Sequence, residues 1–205
     1  MALPATDTFT GTNNQNLTTY SANWTYNVLV GTALQIFSNA LRPNLTDDSV
    51  AHWNADTFNA DQYAKGTLVA IEAAFMGCAV RCASGATQTA YYTVISSGTS
   101  WLNKYVAGTA TNIANFGLGE YVVNDIHQLE AEGTILRSKR NGVLDSIGAQ
   151  TDSSISSGFA GIAGAGNATL TRMDNWEGGN LGGAPAVFPL PDYINQLLQN
   201  PVYRM

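Results

Sequence analysis

The stretch from Gly119 to Gly148 constrains the fold of this chain more than any other part of the sequence. It predicts three successive strands, joined by a sharp turn at Gly133 and by a two-residue turn at Asn141-Gly142. Asn-Gly between β-prone runs favours a type I′ hairpin, because that turn needs a positive φ at both central residues. A uniform register from this turn places Leu136 opposite Ile147. The stretch therefore predicts antiparallel sheet.

Strand-like runs separated by glycine occupy most of the remaining chain, with no sustained helical period. They are predicted at 34–37, 63–73, 75–83, 87–96, 100–106, 154–162 and 168–176. Short strands at such regular spacing are typical of a β-sandwich or barrel. Trp24 is expected in a loop, and the segment 38–60, which contains Pro43 and Asp47-Asp48, is expected to be irregular. The predicted fold class is all-β.

Composition limits the possible functions. The chain has 205 residues, which suits a single all-β domain, and a net charge of -6, which argues against binding nucleic acid. Charged residues make up 12%, about half the usual share of ~25%. No run of eighteen apolar residues predicts a membrane span. The first residues lack the basic and apolar regions of a secretory signal, so synthesis in a host cytoplasm without export is expected.

Two cysteines, Cys78 and Cys82, lie in one predicted strand. At about 3.3 Å per residue they stand roughly 13 Å apart, beyond the ~7 Å that a disulfide allows. We expect buried thiols that share one face with Val80, and we expect Arg81 on the opposite, solvated or concave face. No metal site is predicted from two cysteines alone.

The composition changes after residue 177. Four of the six prolines lie in 178–205, and proline removes the backbone donors that a sheet needs. The segment is nevertheless too apolar for free disorder. The sequence therefore predicts a sandwich domain at 1–177 and an extended C-terminal arm at 178–205. The side chains expected to anchor the arm are Phe188, Leu190, Tyr193, Ile194, Leu197, Leu198 and Tyr203.

A series of short motifs follows one another in a characteristic order. They are Asp7-Thr-Phe-Thr with Trp24, Gln62-Tyr63-Ala64, Gly77 to Arg81, Tyr91-Tyr92, Leu102 to Thr109, Leu129 to Gly142, Ser157 to Ile162 and Asp174 to Gly178. Together they resemble the concanavalin A-like lectin/glucanase superfamily, in particular the laminin-G-like domains of bacteriophage virion proteins. The resemblance implies a jelly-roll sandwich of two antiparallel sheets, with the first and last strands as neighbours. It also implies a concave face where relatives bind sugars.

Four side chains are the candidate glycan contacts: Tyr91, Tyr92, Trp101 and His127. Adjacent tyrosines in a strand point to opposite faces, so one is expected in the core and the other exposed. Tryptophan can stack on a sugar ring, although large apolar side chains more often lie in a core or an interface.

The superfamily's glycosidases carry Glu-x-Asp-x-Glu in one strand, and retaining chemistry needs two carboxyl groups about 5 to 5.5 Å apart. The nearest candidates here split between two faces, with Asp125 and His127 on one, and Glu130 and Glu132 on a solvated one. No catalytic residue is therefore predicted. The scattered aspartates are interpreted as turn residues rather than calcium ligands, so no cofactor is expected.

The leading hypothesis is a non-enzymatic bacteriophage virion structural protein, a capsid decoration or stabilising module localised to the virion. Its partners would be capsid or other virion proteins and further copies of itself, bound through the arm with the avidity of a symmetric array. The alternative is a carbohydrate-binding, lectin-like module for host or environmental glycans. A glycoside hydrolase is the third hypothesis.

Overall fold

The computed structural model describes residues 3–29, 34–84, 88–166 and 171–182. Within them, one short helix and fifteen strands follow one another. They are β1 (Ala5–Asp7), α1 (Leu17–Tyr20), β2 (Trp24–Leu29), β3 (Gln35–Ile36), β4 (Leu41–Arg42), β5 (Leu45–Trp53), β6 (Gln62–Ala70), β7 (Phe75–Cys82), β8 (Ala90–Val94), β9 (Trp101–Val106), β10 (Thr109–Asn115), β11 (Ile126–Glu132), β12 (Ile135–Arg140), β13 (Val143–Thr151), β14 (Phe159–Gly166) and β15 (Arg172–Asn180). No helix in this part of the chain has the length and apolar character needed to cross a bilayer.

The strands form two antiparallel sheets. In sheet A the order is β13-β12-β11-β6-β15-β4-β3, with β1 also paired to β15, and in sheet B it is β10-β9-β8-β7-β14-β5-β2. The predicted all-β sandwich of two antiparallel sheets is confirmed. The first and last strands are neighbours, as expected, because Ala5 pairs with Gly178.

Three tryptophans join the two sheets at the centre of the core. Trp24 and Trp53 come from sheet B and Trp176 comes from sheet A, and the ring centroids of Trp24 and Trp176 are 4.7 Å apart. Their polar edges are satisfied, since the Trp24 indole donates to Asp7 and the Trp176 indole donates to the carbonyl of Gly161. Three of the four tryptophans are therefore core residues.

The Asn141-Gly142 turn has the predicted conformation, with φ values of 51° and 82°. The uniform register predicted beyond it is wrong. Lys139 pairs with Leu144, but a bulge shifts the next partners, and Leu136 lies opposite Gln150 rather than Ile147. The bulge contains Gly148 at a φ of 63°, a conformation that glycine adopts without steric cost.

The segment 38–60 is not irregular throughout, because it contains β4 and β5, and Trp24 is not in a loop. β5 occupies the middle of that segment. It pairs with β2, which begins at Trp24. In β5, Val50 and Ala51 point to opposite faces and both are buried. A strand buried on both faces lacks the apolar–polar alternation that sequence reading relies on, and Asp47-Asp48 further obscures it.

Arg81 is buried, which corrects the expectation of a solvated face. It is 2% exposed, and its guanidinium donates to the carbonyls of Ala60 and Ile155. The Arg81 backbone has a φ of 52°, and this local irregularity turns Cys82 away from the face of Cys78. Both cysteines are free and buried, as predicted, and burial raises the pKa of both thiols.

The last strand crosses the predicted domain boundary at residue 177. Gly178, Gly179 and Asn180 continue β15 and pair with Ala64, Tyr63 and Gln62 of β6. Position 179 favours glycine, because a Cβ atom there would lie 2.8 Å from the ring of Tyr63. The predicted anchoring residues of the arm, from Phe188 to Tyr203, lie outside the described residues.

Candidate functional site

The outer face of sheet B is concave. The hydroxyl of Tyr92 on β8 donates to Asp48 on β5 over 2.5 Å, although β7 and β14 lie between these strands. In a flat sheet, strands three places apart are separated by roughly 14 Å, at about 4.8 Å per strand. Asn27 on β2 likewise reaches the carbonyl of Thr89, which precedes β8. Both contacts require the sheet to curl around its outer face.

A cleft of about 280 Å³ opens on this concave face. Its volume is close to the lower limit of ligand pockets, which is ~300 Å³. The lining residues come from β5, β8, β9 and β10: Asp48, Tyr92, Trp101, Asn103, Ala110, Thr111 and Asn112.

Strand register aligns three polar side chains across the cleft. Tyr92 on β8 pairs with Asn103 on β9, and Asn103 pairs with Asn112 on β10. The Asn112 side-chain amide donates to the side-chain oxygen of Asn103 over 3.0 Å. Cross-strand partners on one face lie about 4.5–5.5 Å apart at Cβ, so this row is a direct consequence of the sheet. It presents amide donors and acceptors at one surface.

Trp101 forms the apolar part of the cleft. It lies two residues before Asn103 on β9, so both side chains share the outer face of sheet B. The indole packs against Phe75 with ring centroids 4.9 Å apart and is half-buried. A partly exposed aromatic ring held by a second ring is therefore positioned beside the polar row.

Tyr92 forms the rigid floor of the cleft. Its side chain is fully buried and stacks on Tyr105 at a centroid distance of 5.3 Å. Burial and the adjacent Asp48 carboxylate raise the Tyr92 pKa far above its ordinary value. The phenol therefore stays protonated and holds the Asp48 carboxylate in one orientation.

Two of the four predicted glycan contacts, Tyr92 and Trp101, line the cleft, and the other two do not. Tyr91 points into the core between the sheets, where its hydroxyl donates to Asp152 over 2.6 Å. The opposite orientation of the two tyrosines is as predicted, but neither side chain is exposed, because both residues are fully buried on their respective faces of sheet B.

His127 is also buried between the sheets. Its Nε2 lies 2.6 Å from the hydroxyl of Thr93 and its Nδ1 lies 2.9 Å from that of Tyr121. Burial lowers the His127 pKa to about 3, so the ring is neutral. Its prediction as a glycan contact is wrong, because β11 turns this side chain inward together with Leu129.

The cleft holds one carboxylate among its lining residues, that of Asp48. Asp125 instead pairs with Arg140, and Glu130 pairs with Lys139. Glu130 is 5% exposed, so it is not the solvated side chain that the sequence indicated. In the ranges that the structure describes, no cluster of three or more His, Cys, Asp or Glu side chains is arranged to hold a metal ion.

Sequence reasoning missed Asn103 and Asn112 and interpreted Asp48 as a turn residue rather than a calcium ligand. A local signal existed for Asn103, since Trp101-x-Asn103 in a strand puts an aromatic ring and an amide on one face. Asn112 and Asp48 join the cleft through sheet pairing and curvature, which no local pattern encodes.

Several solved structures share the fold at low sequence identity. The carbohydrate-binding module CBM66 from Bacillus subtilis has a TM-score of 0.55 and 16% identity, over 77% of this chain and 92% of that chain. A Bacillus licheniformis beta-glucanase has a TM-score of 0.55 and 10% identity, over 87% and 98%. The Emp46p carbohydrate recognition domain has a TM-score of 0.51 and 8% identity, over 80% and 91%.

No protein-family model and no curated protein matches the sequence. The structural similarities show the fold, a jelly-roll sandwich of the concanavalin A-like kind, and thereby confirm that part of the resemblance. The bacteriophage virion context stays a prediction.

Proposed function

We propose that this chain is a carbohydrate-binding, lectin-like module that holds a neutral glycan in the cleft on sheet B. The observation that carries the proposal is the juxtaposition of the half-buried Trp101 ring with the Asn103 and Asn112 amides on one concave surface. A carbohydrate-binding module and a carbohydrate recognition domain are among the proteins with this fold, which supports the same conclusion.

The chemistry of the cleft suits a sugar. A pyranose ring has an apolar C–H face that packs on an aromatic ring, and hydroxyl groups that both donate and accept hydrogen bonds. The amides of Asn103 and Asn112 offer both functions, and Asp48 is an acceptor fixed by Tyr92. The lining residues include an acid but no base, so a negatively charged sugar is disfavoured.

We expect binding without hydrolysis. Hydrolysis by the usual mechanism needs two carboxyl groups on opposite sides of the bond that is cleaved. Asp48 is the single carboxylate among the lining residues, and its oxygen accepts from Tyr92. Incubating the full chain with any glycan that binds should release no product, and turnover that disappears in Asp48→Asn would contradict the non-catalytic proposal.

The experiment is a glycan array with the full chain, followed by calorimetric titration of the best neutral ligand. Trp101→Ala should lower the affinity at least about tenfold, because it removes the stacking surface; Trp101→Phe should lower it less. Asn103→Ala should also weaken binding, through the loss of hydrogen bonds to the sugar hydroxyls.

The control variant is Val143→Ala, which changes an exposed apolar side chain on sheet A. It should bind with unchanged affinity. An array without hits at high protein concentration, or equal affinities for native protein and Trp101→Ala, would rule out the cleft as a glycan site. A bacteriophage virion structural protein would then again be the leading hypothesis, because that function does not depend on the cleft.

A further inference from the structure

Arg42 and Arg172 are unlike the other basic side chains that the structure describes. Six of these form an ion pair within 4.0 Å: Lys65, Arg81, Lys104, Arg137, Lys139 and Arg140. Arg42 and Arg172 make no ion pair with any described carboxylate. In a chain with 15 acidic and 9 basic residues, two arginines without a counter-charge are unexpected.

These two arginines lie side by side at one edge of sheet A. Their strands, β4 and β15, pair antiparallel through Met173 and Leu41, and this register places Arg172 opposite Arg42. Both guanidinium groups lie over the ring of Phe37, with their central carbons 4.5 Å and 5.9 Å from its centroid. Like charges directly opposite each other in a sheet are destabilising, and no described carboxylate neutralises this pair.

The donors of this pair are only partly used. Arg42 is 7% exposed and donates from Nη2 to the side-chain oxygens of Asn14 and Gln35, both of them neutral acceptors. The Nε atoms of Arg42 and Arg172 are both buried without a hydrogen-bond partner. A buried donor that is left unpaired costs free energy, and burial lowers the pKa of Arg42.

We propose that Arg42 and Arg172 form a binding site for an oxyanion, such as a sulfate, phosphate or carboxylate group. A guanidinium presents Nε–H and Nη–H as a fork that matches two oxygens of such a group. An oxyanion bound through the Nη–H groups of both arginines neutralises the two like charges, and a small rotation of each guanidinium brings the buried, unpaired Nε–H donors to the same oxyanion. Phe37 and Gln35 hold the Arg42 guanidinium in place before the ligand arrives. This site is independent of the cleft, which lies on the other sheet.

Titration of the full chain followed by NMR of the arginine Nε–H signals tests the proposal. Sulfate, phosphate and glucuronate are added at constant ionic strength, with chloride as the reference anion. The Arg42 and Arg172 signals should shift saturably with an oxyanion and not with chloride. Identical shifts with chloride, or shifts that never saturate, would overturn the proposal.

Arg172→Gln should weaken oxyanion binding at Arg42 at least about tenfold, because one of two charged donors is lost. In chloride, the melting temperature of this variant should equal or exceed that of the native protein, because the repulsion between the two like charges is removed. Arg137→Gln removes an arginine that is already paired with Glu132, and should bind the oxyanion as the native protein does. Unchanged binding in Arg172→Gln, or a lower melting temperature in chloride, would instead assign Arg172 a structural role.

A further comparison identifies where the oxyanion comes from. Sulfated dextran oligosaccharides and inorganic sulfate are compared, with uncharged dextran as the control. If the sulfated oligosaccharides bind at least about tenfold more tightly than inorganic sulfate and uncharged dextran does not bind, the ligand is an anionic group carried by a glycan. Equal affinity per sulfate group indicates a free inorganic anion. Either result supports the site, whereas no binding of either sulfate source contradicts it.

Discussion

At the scale of single residues, the two histidines make the stability of the protein sensitive to pH between 7 and 5. His52 is 3% exposed and His127 is fully buried, and burial lowers their pKa values to about 4 and about 3. An unfolded histidine has a pKa near ~6.5. Below that pH the histidines of the unfolded chain bind protons, whereas the buried histidines of the folded chain stay neutral. The free energy of unfolding is therefore highest above pH ~6.5 and decreases as the pH falls toward about 4.

The variant His52→Leu tests this account. His52 stacks on Phe159, and its Nδ1 is buried without a partner, so a leucine of similar volume removes a polar cost. The native protein should lose about 2 kcal/mol of unfolding free energy per histidine between pH 7 and pH 5. The variant should lose about 2 kcal/mol less than the native protein, as measured by urea unfolding at both pH values.

The half-buried carboxyl groups of Asp145 and Asp174 act in the opposite sense, because desolvation raises their pKa values. They are present in both proteins and therefore cancel in the comparison. Equal losses in native protein and His52→Leu would show that His52 is not a source of the acid sensitivity.

At the scale of strands, turns marked by glycine could be predicted from the sequence, whereas strands buried on both faces could not. Asn141-Gly142 specifies its own turn, because both residues tolerate positive φ. The bulge near Gly148 depends on how β13 meets β12, so a uniform register could not anticipate it. Arg81 was misplaced for a similar reason, since its carbonyl partners Ala60 and Ile155 are distant in sequence.

Gly77 shows how closely β7 approaches β8. A Cβ added at Gly77 would lie 2.1 Å from the carbonyl oxygen of Thr93, an approach that no side chain can relieve because the obstacle is backbone. Gly77→Ala should therefore separate these strands and lower the unfolding free energy by about 3 kcal/mol.

The matched control for that substitution is Gly98→Ala. The nearest atom to a Cβ at Gly98 is the Ser96 hydroxyl at 4.0 Å, so its effect should stay within about 0.5 kcal/mol. Urea unfolding of the two variants gives the comparison. Similar stabilities for both would mean that β7 and β8 can move apart without cost.

At the scale of the whole molecule, the jelly roll was predictable because many short motifs occur in one order, while the cleft was only half predictable. Tyr92 and Trp101 are aromatic and were recognised as candidates by residue type. Asp48 and Asn112 reach them through the curvature and pairing of sheet B, which link residues up to 44 positions apart. The sequence shows such a site only in parts: single aromatic residues such as Tyr92, and local pairs on one face of a strand such as Trp101 and Asn103.

β15, the last strand among the described residues, ends at Asn180, and two truncations test what its final residues contribute. A chain ending at residue 177 loses the pairing of Gly178, Gly179 and Asn180 with β6, and also the bond from the Asn59 amide to the Asn180 side chain. At about 1 kcal/mol for each hydrogen bond, its unfolding free energy should fall by roughly 3 kcal/mol.

A chain ending at residue 182 keeps these contacts and the bond from the Leu181 amide to Asp61. It should exceed the chain ending at residue 177 by roughly 3 kcal/mol in unfolding free energy, as measured by urea unfolding. Equal stability of the two truncated chains would show that the last three residues of β15 contribute nothing to the fold.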